Sequence, residues 1–153
     1  MKTLVVFYSR SGTTKRVAQE LAEALGADID EVIDKKSRKG ILGILRAGYD
    51  ATREKTTEIE FTKDPSEYDF VIVGSPVWNR RVTPAIRTYL LQNRGKIKAA
   101  AFFATCMGNS GKCLDQMEEL YGDKAVLKKT LVKKELEKGI KELQEELKAL
   151  MAT

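Results

Sequence analysis

Apolar residues along this chain follow two spacings that alternate from end to end. Short continuous runs, Leu4-Val5-Val6-Phe7, Phe70-Val71-Ile72-Val73 and Ala99-Ala100-Ala101-Phe102-Phe103-Ala104, carry no charge and predict strands buried on both faces. Between them, apolar residues recur every three or four positions. Val17, Ala18, Leu21, Ala22 and Leu25 share one face of a helix over 15–25, which Gly26 ends. Thr83 and Pro84 suit the cap and first turn of a helix that buries Ile86, Tyr89 and Leu90 and stops near Gly95. Leu114, Met117 and Leu120 mark a helix over 113–121, closed by Gly122. Leu136, Ile140, Leu143, Leu147 and Leu150 mark the last one, whose stripe is short enough to read as core contact and not as a coiled-coil seam.

The predicted strands are 3–8, a short 28–33, 70–75, 99–105 and 125–132. The last carries Lys128 and Lys129, as suits an edge strand guarded by charge. Strand and helix alternate throughout, so the expected fold is α/β, a parallel sheet with helices on both faces, in a single domain over 1–153. An insertion, 34–69, separates the second and third strands. Its segment Gly40-Ile41-Leu42-Gly43-Ile44-Leu45-Arg46-Ala47-Gly48-Tyr49 predicts an amphipathic helix containing glycines.

Composition narrows the chemistry. The sequence has no histidine, which removes the usual general base, the usual zinc ligand and any Ser-His-Asp triad. No catalytic side chain and no metal site are expected; the reaction would belong to a cofactor. Cys106 and Cys113 are too few for a disulfide framework, and with no leader before the first strand the expected compartment is the cytoplasm. No run of about 18 apolar residues exists to span a membrane, and no membrane contact is expected. The formal charge is +5, but Lys128, Lys129, Lys133 and Lys134 are followed by Glu135, Glu137, Glu142, Glu145 and Glu146. That balance reads as a solvated helix face, and no nucleic acid is expected as a partner.

The most specific segment is Tyr8-Ser9-Arg10-Ser11-Gly12-Thr13-Thr14, where a buried strand breaks into hydroxyl residues around one glycine and then enters a helix. A helix N-terminus offers unpaired N–H groups and partial positive charge. Ser9, Ser11, Thr13 and Thr14 add donors, Gly12 allows close approach, and no carboxylate is present to repel an anion. Two other motifs fail. Cys106 to Cys113 sits like a nucleotide-binding P-loop but lacks its first glycine and has Cys113 where Ser or Thr is needed. The same segment cannot be a Cys-x5-Arg phosphatase loop, because Lys112 occupies the arginine position. Cys113, at a helix start, is a candidate for a lowered thiol pKa.

The loop resembles the phosphate loop of flavodoxins, a Thr/Ser-x-Thr/Ser-Gly-x-Thr pattern met here by Ser9, Ser11, Gly12 and Thr14. The segment 40–53 resembles one found in small flavodoxin-like proteins of bacteria and archaea, and the similarity of loop and strand order extends over nearly the whole chain. The resemblance implies a flavodoxin-like three-layer sandwich, its five-stranded parallel sheet in order 2-1-3-4-5, with flavin mononucleotide (FMN) at the switch point between strands one and three; flavodoxin is itself the standard example of that arrangement. It implies a cofactor site built from three loops. Ser9, Arg10, Ser11, Gly12, Thr13 and Thr14 would wrap the phosphate. Ser75, Pro76, Val77, Trp78, Asn79 and Arg80 would line the ring, with Trp78 either stacked on it or filling a gap between loop and core. Thr105, Cys106, Met107 and Gly108 would approach the second face, where many flavodoxins place a tyrosine and this chain does not; Tyr49 is a candidate to fill that place.

The first functional expectation is an electron carrier acting with a redox partner protein. Arg80 and Arg81, with no Asp or Glu between Phe70 and Lys112, imply a partner with an acidic surface. The alternative is an FMN-dependent NAD(P)H oxidoreductase of the quinone or flavin reductase type. A non-redox module that has lost flavin is a third reading, against which the intact phosphate loop weighs.

Overall fold

The computed structural model describes residues 1–36 and 40–152; residues 37–39 of the expected insertion and the terminal Thr153 lie outside the described residues. In chain order the elements are β1 Thr3–Phe7, α1 Thr13–Leu25, β2 Asp28–Glu31, β3 Ile33–Asp34, α2 Gly40–Thr52, β4 Ile59–Glu60, β5 Phe70–Trp78, β6 Arg81–Val82, α3 Pro84–Gln92, β7 Ala100–Cys106, α4 Cys113–Tyr121, β8 Leu127–Val132 and α5 Leu136–Met151. Among the described residues, five strands pair in parallel in the order β2-β1-β5-β7-β8. This is the expected 2-1-3-4-5 arrangement, with β1 and β5 adjacent at the point where the chain reverses direction across the sheet.

Two apolar layers hold the helices on. Val5, Phe7, Ile72 and Phe103 face α1 and α5, meeting Val17, Leu21, Ile140, Leu143 and Leu147. Leu4, Val6, Val71, Val73 and Phe102 face the other way, meeting Ile86, Tyr89, Leu90 and Met117. The continuous apolar runs are thus strands buried on both faces. At the sheet edge, Lys128 lies 3.1 Å from both Asp115 and Glu118, and Lys129 lies 2.8 Å from Glu146.

Three features differ from the sequence expectation. The predicted strand 28–33 ends at Glu31, and Ile33–Asp34 pairs antiparallel with β4 instead. Buried Asp30 causes the division: it accepts hydrogen bonds from the Thr62 and Lys63 N–H groups and the Thr62 hydroxyl, pulling the returning insertion onto the end of β2. The third strand runs on through Pro76 to Trp78 and turns back into β6, so most of the predicted second loop is a hairpin. Finally, α2 forms, but its aliphatic side faces outward: Ile41 is 78% and Leu42 82% exposed, with Ile44, Leu45 and Tyr49 also exposed. The face against the protein is made of Gly43, Ala47, Asp50 and Ala51. Small side chains let the helix lie close, and Asp50 is balanced by Lys36 and Arg46 at 3.9 and 3.8 Å. Among the described residues, no helix is long and apolar enough to cross a membrane.

Candidate functional site

A solvent-open trough of about 190 Å3 lies beyond the carboxyl ends of β1, β5 and β7. One end is the Ser9–Thr14 loop. Gly12 holds φ +104°, a left-handed conformation that favours glycine, and caps α1 with no side-chain hydrogen bond. The first turn of α1 has no acidic residue. Its leading N–H groups are therefore left for an anion in the trough. The Ser9 hydroxyl accepts from the Gly12 N–H at 3.0 Å, which braces the loop from within. Thr14 is buried, and its hydroxyl shares a hydrogen bond of 2.7 Å with that of Thr105, tying the phosphate-type loop to the end of β7.

The wall is the extended β5. Pro76, Val77 and Trp78 line it, and Trp78 meets Tyr8 edge-to-face with centroids 5.5 Å apart. That contact holds the indole from behind and packs it against the core while it still lines the trough. Asn79 and Arg80 form the two-residue turn to β6, with φ +49° and +66°. The turn is fixed at several points. Asn79 donates to the Thr52 hydroxyl of α2, Arg81 donates to the Asn79 carbonyl at 3.0 Å, and the Lys112 N–H donates to the Arg80 carbonyl at 2.8 Å. Gly111 makes the last contact feasible, since a Cβ there would lie 2.5 Å from the Arg80 Cβ.

The opposite side consists of Thr105, Cys106 and Met107, with Met107 76% exposed. Tyr49 points elsewhere: its ring is exposed and meets Arg53 and Lys55. Both thiols are free. Burial pushes the Cys113 thiol up to about 12, opposite to the lowering expected at a helix start, because Cys113 lies wholly inside the core. Burial also raises Cys106.

The structure thus gathers Arg10, Ser11, Thr13, Thr14, Pro76, Val77, Trp78, Thr105, Cys106 and Met107 around one trough. Ser9 braces from behind, and Gly12 faces a neighbouring cavity. Ser75 is buried and bonded to Thr83, Asn79 and Arg80 stand at the hairpin tip, and Gly108 is exposed beside the trough without lining it. Lys133 lines the trough and was not expected there. It belongs to a 3-10 turn between β8 and α5, so Lys133 and Lys134 are not on the helix face assigned to them from sequence. Only the parallel pairing of β7 with β8 brings that turn beside the phosphate-type loop.

A hydroxyl-rich anion cradle at one end of an aromatic-walled trough, at the switch point of a 2-1-3-4-5 sheet, suits a flat aromatic ligand bearing a phosphate. A flavodoxin family model matches residues 2–147. The chain belongs to the flavodoxin family. A comparison with curated proteins gives no match. Among solved structures, the chain is similar to a flavoprotein from Lactobacillus acidophilus in complex with FMN, at 25% identity and TM-score 0.74, covering 90% of this chain and 97% of that one. A candidate flavoprotein from Bacteroides eggerthii is 25% identical, with TM-score 0.71 and coverage of 85% and 87%. A flavodoxin-type, WrbA-like protein from Agrobacterium tumefaciens shares the fold, at 15% identity and TM-score 0.56 over 87% of this chain and 83% of that one.

Proposed function

We propose that this flavodoxin-family chain holds FMN noncovalently and passes electrons between redox partners. The observation that carries this reading is the pairing of an acid-free helix start, with no side-chain cap, and an aromatic-walled trough in one continuous site. Bound FMN supplies the ability to accept and release one or two electrons. The residues of the chain bind and orient. Ser11, Thr13, Thr14 and the α1 N–H groups hold the phosphate; Trp78, Pro76 and Val77 support one side of the ring. At about 190 Å3 the trough is smaller than an enclosed small-molecule pocket of about 300–1,000 Å3 and opens to solvent, so a ring held there would stay within reach of a partner.

FMN titration is expected to quench the fluorescence of Trp78, the sole tryptophan, almost completely. Unchanged emission at saturating FMN would place the ring away from the indole and remove the wall from the site.

The partner in this reading presents an acidic surface. Arg80 is exposed at the hairpin tip and Arg81 folds back on it. Arg46 and Arg53 flank the outward aliphatic side of α2, which is hydrogen-bonded to the same hairpin. An apolar centre rimmed by cations matches a transient partner of opposite charge. Reduction would add negative charge to bound FMN, which each arginine within reach would favour by on the order of 1–2 kcal/mol near a surface. Exchanging Arg80 and Arg81 for glutamine is expected to lower the flavin potential by on the order of tens of millivolts and to flatten the salt dependence of electron transfer. A potential that does not move in spectroelectrochemical titration would show that neither charge reaches the ring.

A second reading, an FMN-dependent NAD(P)H oxidoreductase acting on a quinone or similar acceptor, is supported by the third loop. Met107 is exposed where an aromatic lid would otherwise stand, which leaves that side of the trough accessible. Anaerobic mixing with NADH or NADPH separates the two: rapid bleaching supports the reductase, and a yellow colour that persists supports the carrier.

A further inference from the structure

The trough does not end at the phosphate-type loop. Past Ser11, Gly12 and Thr13, a larger and more solvent-open cavity of about 860 Å3 lies between the start of α1 and the turn leading into α5. Ser11, Thr13 and Lys133 line both spaces, so they meet around the loop. The charged groups of the cavity are Arg16, Lys133, Lys134 and Lys138 on one side of the balance and Glu135 and Glu137 on the other. Arg16 is already engaged, 2.8 Å from Glu20 and 3.6 Å from Glu137. Lys133, Lys134 and Lys138 are exposed and form no hydrogen bond through their ammonium groups and no ion pair with any described residue. Lys128 and Lys129, a few residues earlier, are both paired with carboxylates. Of these five lysines near the start of α5, the three without a carboxylate partner are thus the ones at this cavity. Leu136, Glu137 and Lys138, the first turn of α5, also line it, so two helix starts share its wall.

FMN carries one phosphate, which the loop accommodates, and nothing of that ligand extends beyond it. A ligand chain that continues from the phosphate would enter the basic cavity. We propose that this cavity takes a second phosphate and its nucleoside, so that the protein holds flavin adenine dinucleotide (FAD) as well as FMN; the inference rests on the flavin reading of the trough. Its volume lies within the roughly 300–1,000 Å3 of small-ligand sites. A nicotinamide dinucleotide is the poorer match, because its reactive ring must reach the Trp78 and Met107 end, whereas the free lysines stand at the phosphate end.

The test titrates the apoprotein with FMN and with FAD, following Trp78 emission and calorimetric heat at low salt. The same titrations are made on Lys134→Glu/Lys138→Glu, whose residues line the second cavity and not the trough. The wild type is expected to bind FAD within about tenfold of FMN, and the variant to lose at least about tenfold for FAD while FMN stays within about twofold. Failure of FMN to bind the wild type would overturn the flavin reading itself. With FMN bound normally, FAD weaker by more than about tenfold would overturn the second-phosphate site. So would a variant that keeps its FAD affinity or loses both ligands equally.

Discussion

Replacing Ser11 and Thr14 together by alanine is expected to weaken FMN binding at least about tenfold, since hydrogen bonds to a charged group contribute about 1.5–3 kcal/mol each. Riboflavin, which lacks the phosphate, should bind poorly to the parent and be affected little by the change. The two sites should separate in a second measurement. Ser11 is exposed, so Ser11→Ala should leave thermal stability where it is. Thr14 is buried and bonded to Thr105, so Thr14→Ala also strands a buried hydroxyl, at a cost of about 1–3 kcal/mol. A melting temperature that falls for Thr14→Ala alone, with FMN affinity falling for both, is the expected pattern. FMN binding as tight in the double variant as in the parent would mean that the phosphate sits elsewhere.

This loop was legible in the sequence because everything it needs is contiguous: strand, hydroxyls, glycine and helix follow within about two turns of chain. The sheet order was legible through the family resemblance, and the buried strands through their uncharged runs. The hairpin was not. Pro76 reads as the end of a strand, because proline cannot donate to a ladder, yet β5 continues to Trp78. Arg80 gives no sign that it will take a left-handed turn position usually left to Gly, Asn or Asp; the contact with Gly111 and Lys112 holds it there. For α2, periodicity identified an apolar side but not the direction in which it faces. Three small residues and a paired aspartate proved the better fit to the protein. Lys133 and Lys134 read as surface charge in the sequence, because their nearness to the loop exists only in three dimensions, across more than a hundred residues of sequence.

The same tertiary dependence leaves one glycine of the sheet with no room for a side chain. Gly74 stands beside Phe103 in the β5–β7 register, just before the chain enters the trough. A Cβ on Gly74 would lie 2.0 Å from the Phe103 Cζ and 2.4 Å from its Cε2, so the ring occupies the space a side chain would need. Phe103 is wholly buried against the α1 and α5 side of the core and has no exposed position to swing into. Gly74→Ala therefore forces either the ring or the strand to move. Overpacking of this kind costs about 1–3 kcal/mol and sometimes more. For a chain of this length, about 3 kcal/mol corresponds to a melting temperature lower by roughly 6–12 °C. Because Gly74 leads directly into Ser75 and Pro76, a strand shift would also weaken FMN binding. Shortening the neighbour should reverse part of the loss: Gly74→Ala/Phe103→Leu is expected to melt above Gly74→Ala alone, although Phe103→Leu by itself destabilises. A Gly74→Ala protein as stable as its parent, or a double variant whose losses simply add, would show that the ring does not rest over this glycine.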